Sequence, residues 1–459
     1  MGEILFSMVP EAVEKVETEY RRIVTSIPVP ESLPLIETLQ QYEPLSMRGQ
    51  PLVVWDRAEG VNVYDSFGNK WLDMSSGVLV ANVGHGRIEV RNAMIKQLEK
   101  PLLHNYLFPT EVRADLVKRL AAVAPAGLNK VFLSTTGSEA VECALKLART
   151  RGLKKGGKKK NILISFENAF HGRTLGAQSV GGFPELKEWI VNPDPDIQHV
   201  PFPGDFRCED RSFALFEKTL QAQKIDPDDV AGVISETYQG GSAGFFPEAY
   251  ARALRTWCDA HDALLIFDEV QSSFGRTGKF FAFEHYGITP DIIACGKGIS
   301  SCMPLSAVIA GSEVMDIYGP GSMTSTHTGN PVCCAAALAT IRLLLDDGLL
   351  ENAAIVGLRL GYELEKLKHE YSSIVGALYG RGMVYGIHIV KPGSMEPDGE
   401  LTHRIVDRAV KRGLMLFAPV GTGGATIKIC PPLMLDAAGV DDAVLALREA
   451  FAFETNKGA

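Results

Sequence analysis

LLIFDEVQSSFGRTG, residues 264–278, decides how this chain is read. Leu264 to Phe267 form an uninterrupted apolar run, the texture of a strand covered on both faces. Asp268 and Glu269 stand where that strand ends, with Gly275 and Gly278 in the loop beyond. In open α/β sheets the carboxyl ends of strands are where ligands bind. Read alone, the acidic pair could also serve a Mg²⁺ site of the Walker-B kind. No Gly-Lys-Ser/Thr loop accompanies it, which weakens that reading.

Outward from this run, similar short apolar stretches recur at Val131–Leu133, Ile162–Phe166, Val230–Ser235, Asp291–Ala294 and Ala307–Ala310. Helical patterns lie between several of them, as at Ser138–Arg151 and Ala249–His261. The alternation predicts an α/β domain around a mostly parallel sheet. Upstream, residues 11–22 read as a short amphipathic helix and the Pro-rich 28–51 as an extended arm. Residues 53–74 alternate apolar and polar positions around Gly60 and Gly68, as a small antiparallel meander does. After Pro331 a long apolar helix begins. From Glu351 the pattern is helix, strand, helix, strand, helix. The domains expected are 1–75, an arm with part of a small domain; 76–335, a large domain; and 336–459, the rest of the small domain.

The chain has 459 residues, with 46 basic and 55 acidic side chains and a net charge of −9. An acidic balance argues against non-specific nucleic-acid binding. With 46% apolar and 22% charged residues the chain is not of disordered composition. Its eight cysteines contain no CxxC pair, so they read as small buried hydrophobes in a reducing compartment. The start, MGEILFSMVPEAVEKVETEYRR, lacks the pattern of a signal peptide, and Phe6 breaks a myristoylation motif. No run of about 18 apolar residues occurs. The expectation is a soluble, cytoplasmic protein.

Four further motifs carry chemistry. Thr135-Thr136-Gly137-Ser138-Glu139 follows a strand and opens a helix, a place for a phosphate or simply a capping box. Phe170-His171-Gly172-Arg173 offers an aromatic face and a carboxylate-binding fork. Cys295-Gly296-Lys297-Gly298 brackets a lysine with glycines after an apolar run, conditions that favour a neutral amine. Ser325-Thr326-His327-Thr328 places hydroxyls before a helix, a second phosphate contact. Together these are the parts a pyridoxal phosphate site needs: fixed donors for the phosphate, a carboxylate for the ring nitrogen, and an amine for the aldehyde.

On DEVQSSFGRTG (268–278), GKGISSCMPLSA (296–307), TTGSEAVECALKLAR (135–149) and HTGNPVCCAAAL (327–338), the chain resembles the class III, ω-amino acid type, aminotransferases. The resemblance covers roughly residues 50 to 450. It implies the fold type I architecture, a large domain with a mostly parallel seven-stranded sheet and a small α/β domain built from both chain ends. It implies pyridoxal 5'-phosphate as cofactor. Lys297 would be the Schiff-base lysine and proton shuttle, and Asp268 the partner of the ring nitrogen. Cofactor contacts would come from Gly137, Ser138, Phe170, His171, Glu236, Val270 and Gln271. Thr326 would come from a neighbouring subunit of a homodimer, which could pair further into a tetramer. Val78, Arg173 and Lys428 would face the substrates, an amino donor and a 2-oxo acid.

Departures from the family pattern concern the substrate. The 4-aminobutyrate and ornithine enzymes carry a glutamate where Gly241 stands, and an arginine where Lys428 stands. That pair switches one pocket between an ω-amine and an α-amino acid. Lys428 is a point charge, not a bidentate fork. The resemblance implies ping-pong transfer from an ω-amino acid or related amine to pyruvate or 2-oxoglutarate. The alternatives are a racemase, epimerase or decarboxylase on the same cofactor, and a non-catalytic binding protein on the same fold.

Overall fold

A computed structural model describes residues 4–456; the first and last three, at the ends of the expected arm and C-terminal segment, lie outside the described residues. The chain forms two compact units. The larger comprises Ile88–Gly240 and Gly244–Leu350. The smaller takes the described residues up to Arg87, Gly241–Ala243, and those from Glu351 onward. Their bounds lie at 88 and 350, against the 76 and 335 expected from sequence.

The larger unit is built on seven strands: β1 (Lys130–Ser134), β2 (Ile162–Phe166), β3 (Ile197–Val200), β4 (Val230–Glu236), β5 (Leu264–Asp268), β6 (Ile292–Cys295) and β7 (Ser306–Ala310). Their order across the sheet is β1-β7-β6-β5-β4-β2-β3. All neighbours pair parallel except at β7, which runs antiparallel to β6 and to β1. Every residue of β4, β5, β6 and β7 is buried. The continuous apolar runs arise from this, since both faces are covered. β3, with Gln198 and His199 in its middle, is too polar to stand out in the sequence and forms the sheet edge.

Helix α1 (Gly137–Gly156) packs its Ala140, Ala144, Leu147 and Ala148 against Leu163, Ile234, Ile266 and Val308. Small residues on that face let the helix lie close to the sheet. Side chains alternate along a strand, so Asp268 falls on the same face as Leu264 and Ile266, beside the start of α1. The apolar α2 (Pro331–Asp346) is capped by Asn330, whose Oδ1 accepts the N–H groups of Val332 and Cys333, and it carries Pro331 at its first position.

In the smaller unit, two expectations fail. Residues 11–22 contain no helix; Val16–Glu17 and Arg22–Ile23 are short paired strands whose Val16 and Ile23 enter a core with Val63 and Trp71. Burying those two side chains in a sheet overrides the helical pattern. The 28–51 segment is not simply extended: Leu33–Tyr42 is a helix with proline in its first turn, where the missing N–H costs nothing. The meander is present as Arg57–Glu59, Asn62–Tyr64 and Lys70–Asp73. It joins the chain's far end through Leu414–Met415, which pairs parallel with Leu72–Asp73. The C-terminal stretch holds two strands more than expected: besides the short Leu414–Met415, Val375–Arg381 and Val384–Ile389 form a hairpin before Thr426–Ile429 pairs with the latter. No helix among the described residues is long and apolar enough to cross a membrane.

Candidate active site

The carboxyl ends of β1, β2, β4, β5 and β6 open onto one edge of the sheet, and β7, running the other way, begins there. The loops and helix starts beyond these strand ends supply the site. After β1, Thr136 caps α1: its Oγ1 accepts the Glu139 N–H at 3.3 Å, while Glu139 Oε2 accepts the N–H groups of Thr135 and Thr136 at 3.0 and 2.7 Å. Ser306, the first residue of β7, donates to Thr136 O at 2.7 Å. The cap expected from sequence therefore exists, and it orients the helix start. The N–H groups of Gly137 and Ser138 have no intrahelical acceptor and point out along the helix axis, where the dipole favours an anion. Capping and anion binding are compatible here.

After β2 the chain returns to α1. Gly172 adopts φ 134°, and a Cβ on it would lie 2.3 Å from Ser138 Oγ. That hydroxyl accepts the N–H of Arg173 at 3.3 Å. Only glycine permits this approach. The closure turns Phe170 and His171 inward. His171 is buried, and its Nδ1 lies 2.8 Å from Asp268 Oδ2. Asp268 Oδ1 accepts the Val270 N–H at 2.9 Å. His171 Nε2 is buried without a hydrogen-bond partner. With Nδ1–H donated to Asp268, Nε2 is left as an acceptor.

After β4, Glu236 Oε2 accepts the Phe170 N–H at 2.9 Å and its Oε1 the Gly240 N–H at 2.8 Å. Asp268 and Glu236 are register partners on adjacent strands. Burial, with the charge of Asp268 beside it, pushes the Glu236 carboxyl up to about 7, while His171 and the two backbone donors pull the other way. After β6, Lys297 takes φ 41°, a left-handed backbone uncommon for a lysine and characteristic of strained functional positions. Burial holds its amine below the ordinary lysine range, against the opposing pull of Asp268 and Glu236.

A cavity of about 160 Å³ is lined by nine of the residues expected at a site: Gly137, Ser138, Phe170, His171, Glu236, Asp268, Val270, Gln271 and Lys297. Arg173 is not in its lining; it is exposed, with its guanidinium 5.7 Å from the Phe170 ring centre. Thr326 is exposed in the turn before α2 and does not line the cavity either. Val78 and Lys428 belong to the smaller unit. Val78 sits at φ 63° and is 44% exposed, while Lys428 is buried on the Thr426–Ile429 strand opposite Gly386.

In the sequence Asp268 and Glu269 read as one pair, but the strand's two-residue period separates them. Glu269 turns away from the cavity into the protein. Ser306 carries no sequence signal, since nothing in its neighbourhood marks a strand that begins where its neighbours end.

The arrangement fits a planar anionic cofactor with a carbonyl carbon. A Cβ on Gly137 would lie 2.6 Å from Val270 Cγ1, so the floor at the helix start is already at contact distance and requires glycine. Donors for an anion, an aromatic face, a buried carboxylate with an orienting histidine, and an amine kept toward its neutral form all converge. A profile of the class III aminotransferases matches residues 46–451. An acetylornithine aminotransferase of Methanopyrus kandleri is 38% identical over 333 residues, 72% of this chain and 79% of that protein. An alanine/serine racemase of Pyrococcus horikoshii is 33% identical over 450 residues, 94% of this chain and 92% of that protein. A solved amine transaminase from an uncultivated Pseudomonas species, in its PLP-bound form, aligns with a TM-score of 0.80 at 29% identity, covering 87% of this chain and 94% of that one. With sequence and fold in agreement over most of its length, the chain belongs to the class III aminotransferases, pyridoxal-phosphate-dependent enzymes of fold type I.

Proposed function

We propose that the enzyme moves an amino group from an ω-amino acid, or a related amine with an anionic tail, to a 2-oxo acid, pyruvate or 2-oxoglutarate, in a ping-pong cycle. The observation that carries this reading is Arg173, exposed beside Phe170 next to the cavity, where a guanidinium fork suits the remote carboxylate of a donor. Lys428, and Val78 beside the substrate, complete the proposed substrate contacts. The chain works as a homodimer in which Thr326 of each subunit reaches the other's phosphate site. Its cysteine usage supports a cytoplasmic setting.

When bound, pyridoxal phosphate supplies an electron sink for the charge left when the donor carbon loses its proton. The chain's own residues make that useful. The N–H groups of Gly137 and Ser138 would hold the phosphate at the α1 N-terminus. Phe170 and Val270 would flank the ring, and Gln271 would meet its hydroxyl. Asp268 would hold the proton on the ring nitrogen, and His171 Nδ1–H, donating to Asp268 Oδ2, orients that carboxylate. Lys297 is the residue that would hold the cofactor's carbonyl carbon, and its Nζ, kept toward the neutral form, is the base that would take the proton from the donor carbon.

A single-turnover donor screen tests the proposal. Purified holoenzyme is mixed with 4-aminobutyrate, β-alanine, taurine, diamines or α-amino acids, and the loss of the cofactor's aldehyde-form absorbance is timed. Pyruvate and 2-oxoglutarate are then compared for restoring it. Rapid loss with α-amino acids alone would refute the ω-amine reading. A second reading, racemisation, is favoured by the likeness to the alanine/serine racemase over 94% of this chain. Enantiopure alanine or serine without any oxo acid separates the two: a racemase turns over many times, whereas a transaminase stops after one amino group per site.

A further inference from the structure

Glu269 comes directly after Asp268, is fully buried, and faces away from the cavity. Its carboxylate is the meeting point of three segments. Oε1 accepts from Thr237 Oγ1 at 2.5 Å and from the Phe283 N–H at 2.9 Å. Oε2 accepts from Ser272 Oγ at 2.8 Å and from the Ala282 N–H at 3.0 Å. Each oxygen thus takes one obligate backbone donor and one hydroxyl. The surroundings are aromatic: Phe281 and Phe283 stack with ring centres 5.4 Å apart, and Phe283 stacks on Phe267 at 6.3 Å. A charge is costly in such a place unless every lone pair is engaged, and here it is.

Thr237 is the residue after Glu236, and Glu269 is the residue after Asp268. Tyr286 grips the same exit from its other side, donating to Thr237 O and accepting the Phe246 N–H at 3.0 Å. The backbone of Glu269 is fastened as well, its N–H donating to Ala294 O at 2.7 Å. From these contacts we infer that Glu269 is a positioning residue for the reaction: its carboxylate buckles the exits of β4 and β5 together and thereby fixes how Glu236 and Asp268 are presented to the cavity. The inference rests on Asp268 and Glu236 being the carboxylates that face the cofactor. Two adjacent acids on one strand end then have separate tasks, Asp268 meeting the ring and Glu269 holding Asp268 and Glu236 in register.

The hydroxyl donors give the buckle tolerance. Burial pushes the Glu269 carboxyl up to about 7, against the pull of its four donors. A proton taken up there needs only Thr237 or Ser272 to turn its hydroxyl from donor to acceptor, with both backbone bonds kept. An amide cannot do this. In Glu269→Gln the NH₂ group points donors at one backbone N–H, which is left without an acceptor.

The experiment uses the full-length holoenzyme and the variants Glu269→Gln, Thr237→Val and Asp268→Asn. Folded Glu269→Gln is expected to lose kcat by about 10- to 100-fold at unchanged KM, on the scale of misplacing a reacting group by a fraction of an ångström to one ångström. Its apoprotein should bind pyridoxal phosphate more weakly by fluorescence quenching, and the pH midpoint of the bound chromophore should move. Thr237→Val should show the same effects more weakly, and should cost less in the Glu269→Gln background than in wild type. A purely structural carboxylate gives a different result. Thermal stability would then fall in both variants while kcat, cofactor affinity and chromophore midpoint stayed at wild-type values, and the inference would be overturned. If Glu269→Gln does not fold, Thr237→Val decides by the same readouts. Asp268→Asn guards the premise: an active Asp268→Asn enzyme removes the site reading itself, whereas an inactive one beside unchanged Glu269→Gln and Thr237→Val removes only the buckle.

Discussion

Gly137→Ala should weaken cofactor binding although it places a better helix former in a helix. The position is the first of α1, where alanine gains up to about 1 kcal/mol over glycine in a helix interior and less at the end. The added Cβ would lie 2.6 Å from Val270 Cγ1 and 3.1 Å from Cγ2. Carbon atoms rest at about 3.5–4.0 Å, so roughly 1 Å of movement is required. The helix start resists it, held by the Thr136–Glu139 box and by Ser306. Val270 is tied to Asp268 through its N–H, and its β-branched side chain has little rotamer freedom. Overpacking of this kind costs about 1–3 kcal/mol. At about 1.4 kcal/mol per decade, that is about 5- to 150-fold in affinity for pyridoxal phosphate. The assay is titration of apoprotein with the cofactor by intrinsic fluorescence, beside the apoprotein melting temperature. Val270→Ala removes both clashing methyls, so the penalty of Gly137→Ala should largely vanish in that background. Affinity within twofold of wild type, or an equal penalty with and without Val270, would refute the steric argument.

Three further outcomes are expected of the site. Asp268→Asn should lower kcat by about three orders of magnitude, with cofactor still bound, because it removes the charge that stabilises the protonated ring; stopped-flow half-reactions measure it. Lys297→Met should abolish turnover and alter the pH dependence of apoprotein stability. Lys297 is lowered in the fold, so between its folded and unfolded pKa values the unfolded state binds more protons and wild-type stability rises with pH; melts from neutral to alkaline pH should show that rise in wild type and lose it in the variant. Glu236 has the opposite sign: its carboxyl is raised from 4.5 to about 7, so its contribution is present below the lower value and lost as pH climbs through the upper. Glu236→Gln should therefore lose less stability than wild type across that window, and an unchanged slope would contradict the assignment.

Much of the sheet is legible in the sequence because parallel strands buried on both faces leave unbroken apolar runs, as at Leu264–Phe267. β3 is not, because an edge strand with Gln198 and His199 needs no such run. Around residue 16 the helical pattern is real but too short to outweigh the burial of Val16 and Ile23 in a sheet completed from distant sequence. Pro34 adds to the extended look of residues 28–51, whereas at a helix start proline favours the helix. At the site, residue types and order announce the chemistry, since few other ligands need a helix-start anion cradle, a strand-end carboxylate and a Gly-flanked lysine together. The separate task of Glu269 is hidden, because it depends on which face of the strand each acid occupies and on donors 13 and 14 residues downstream.

The smaller unit draws on both ends of the chain, and this bears on how the protein is made. Trp71 Nε1 donates to Val410 O across 339 positions, and Arg21 pairs with Asp442 through two hydrogen bonds. Residues up to Arg87 leave the ribosome long before Glu351 and the segments beyond it. At about 5–20 residues per second, the intervening stretch takes on the order of 10–50 s to synthesise. The larger unit has all its strands in hand by then, while Val16, Ile23, Val63 and Trp71 still lack Val410 and Met415, the partners that complete their core. The nascent N-terminal segment is thus an unfinished half-core waiting on the last quarter of translation, and the stage of synthesis most exposed to chaperones and proteases falls at the beginning of the chain, not at its catalytic middle.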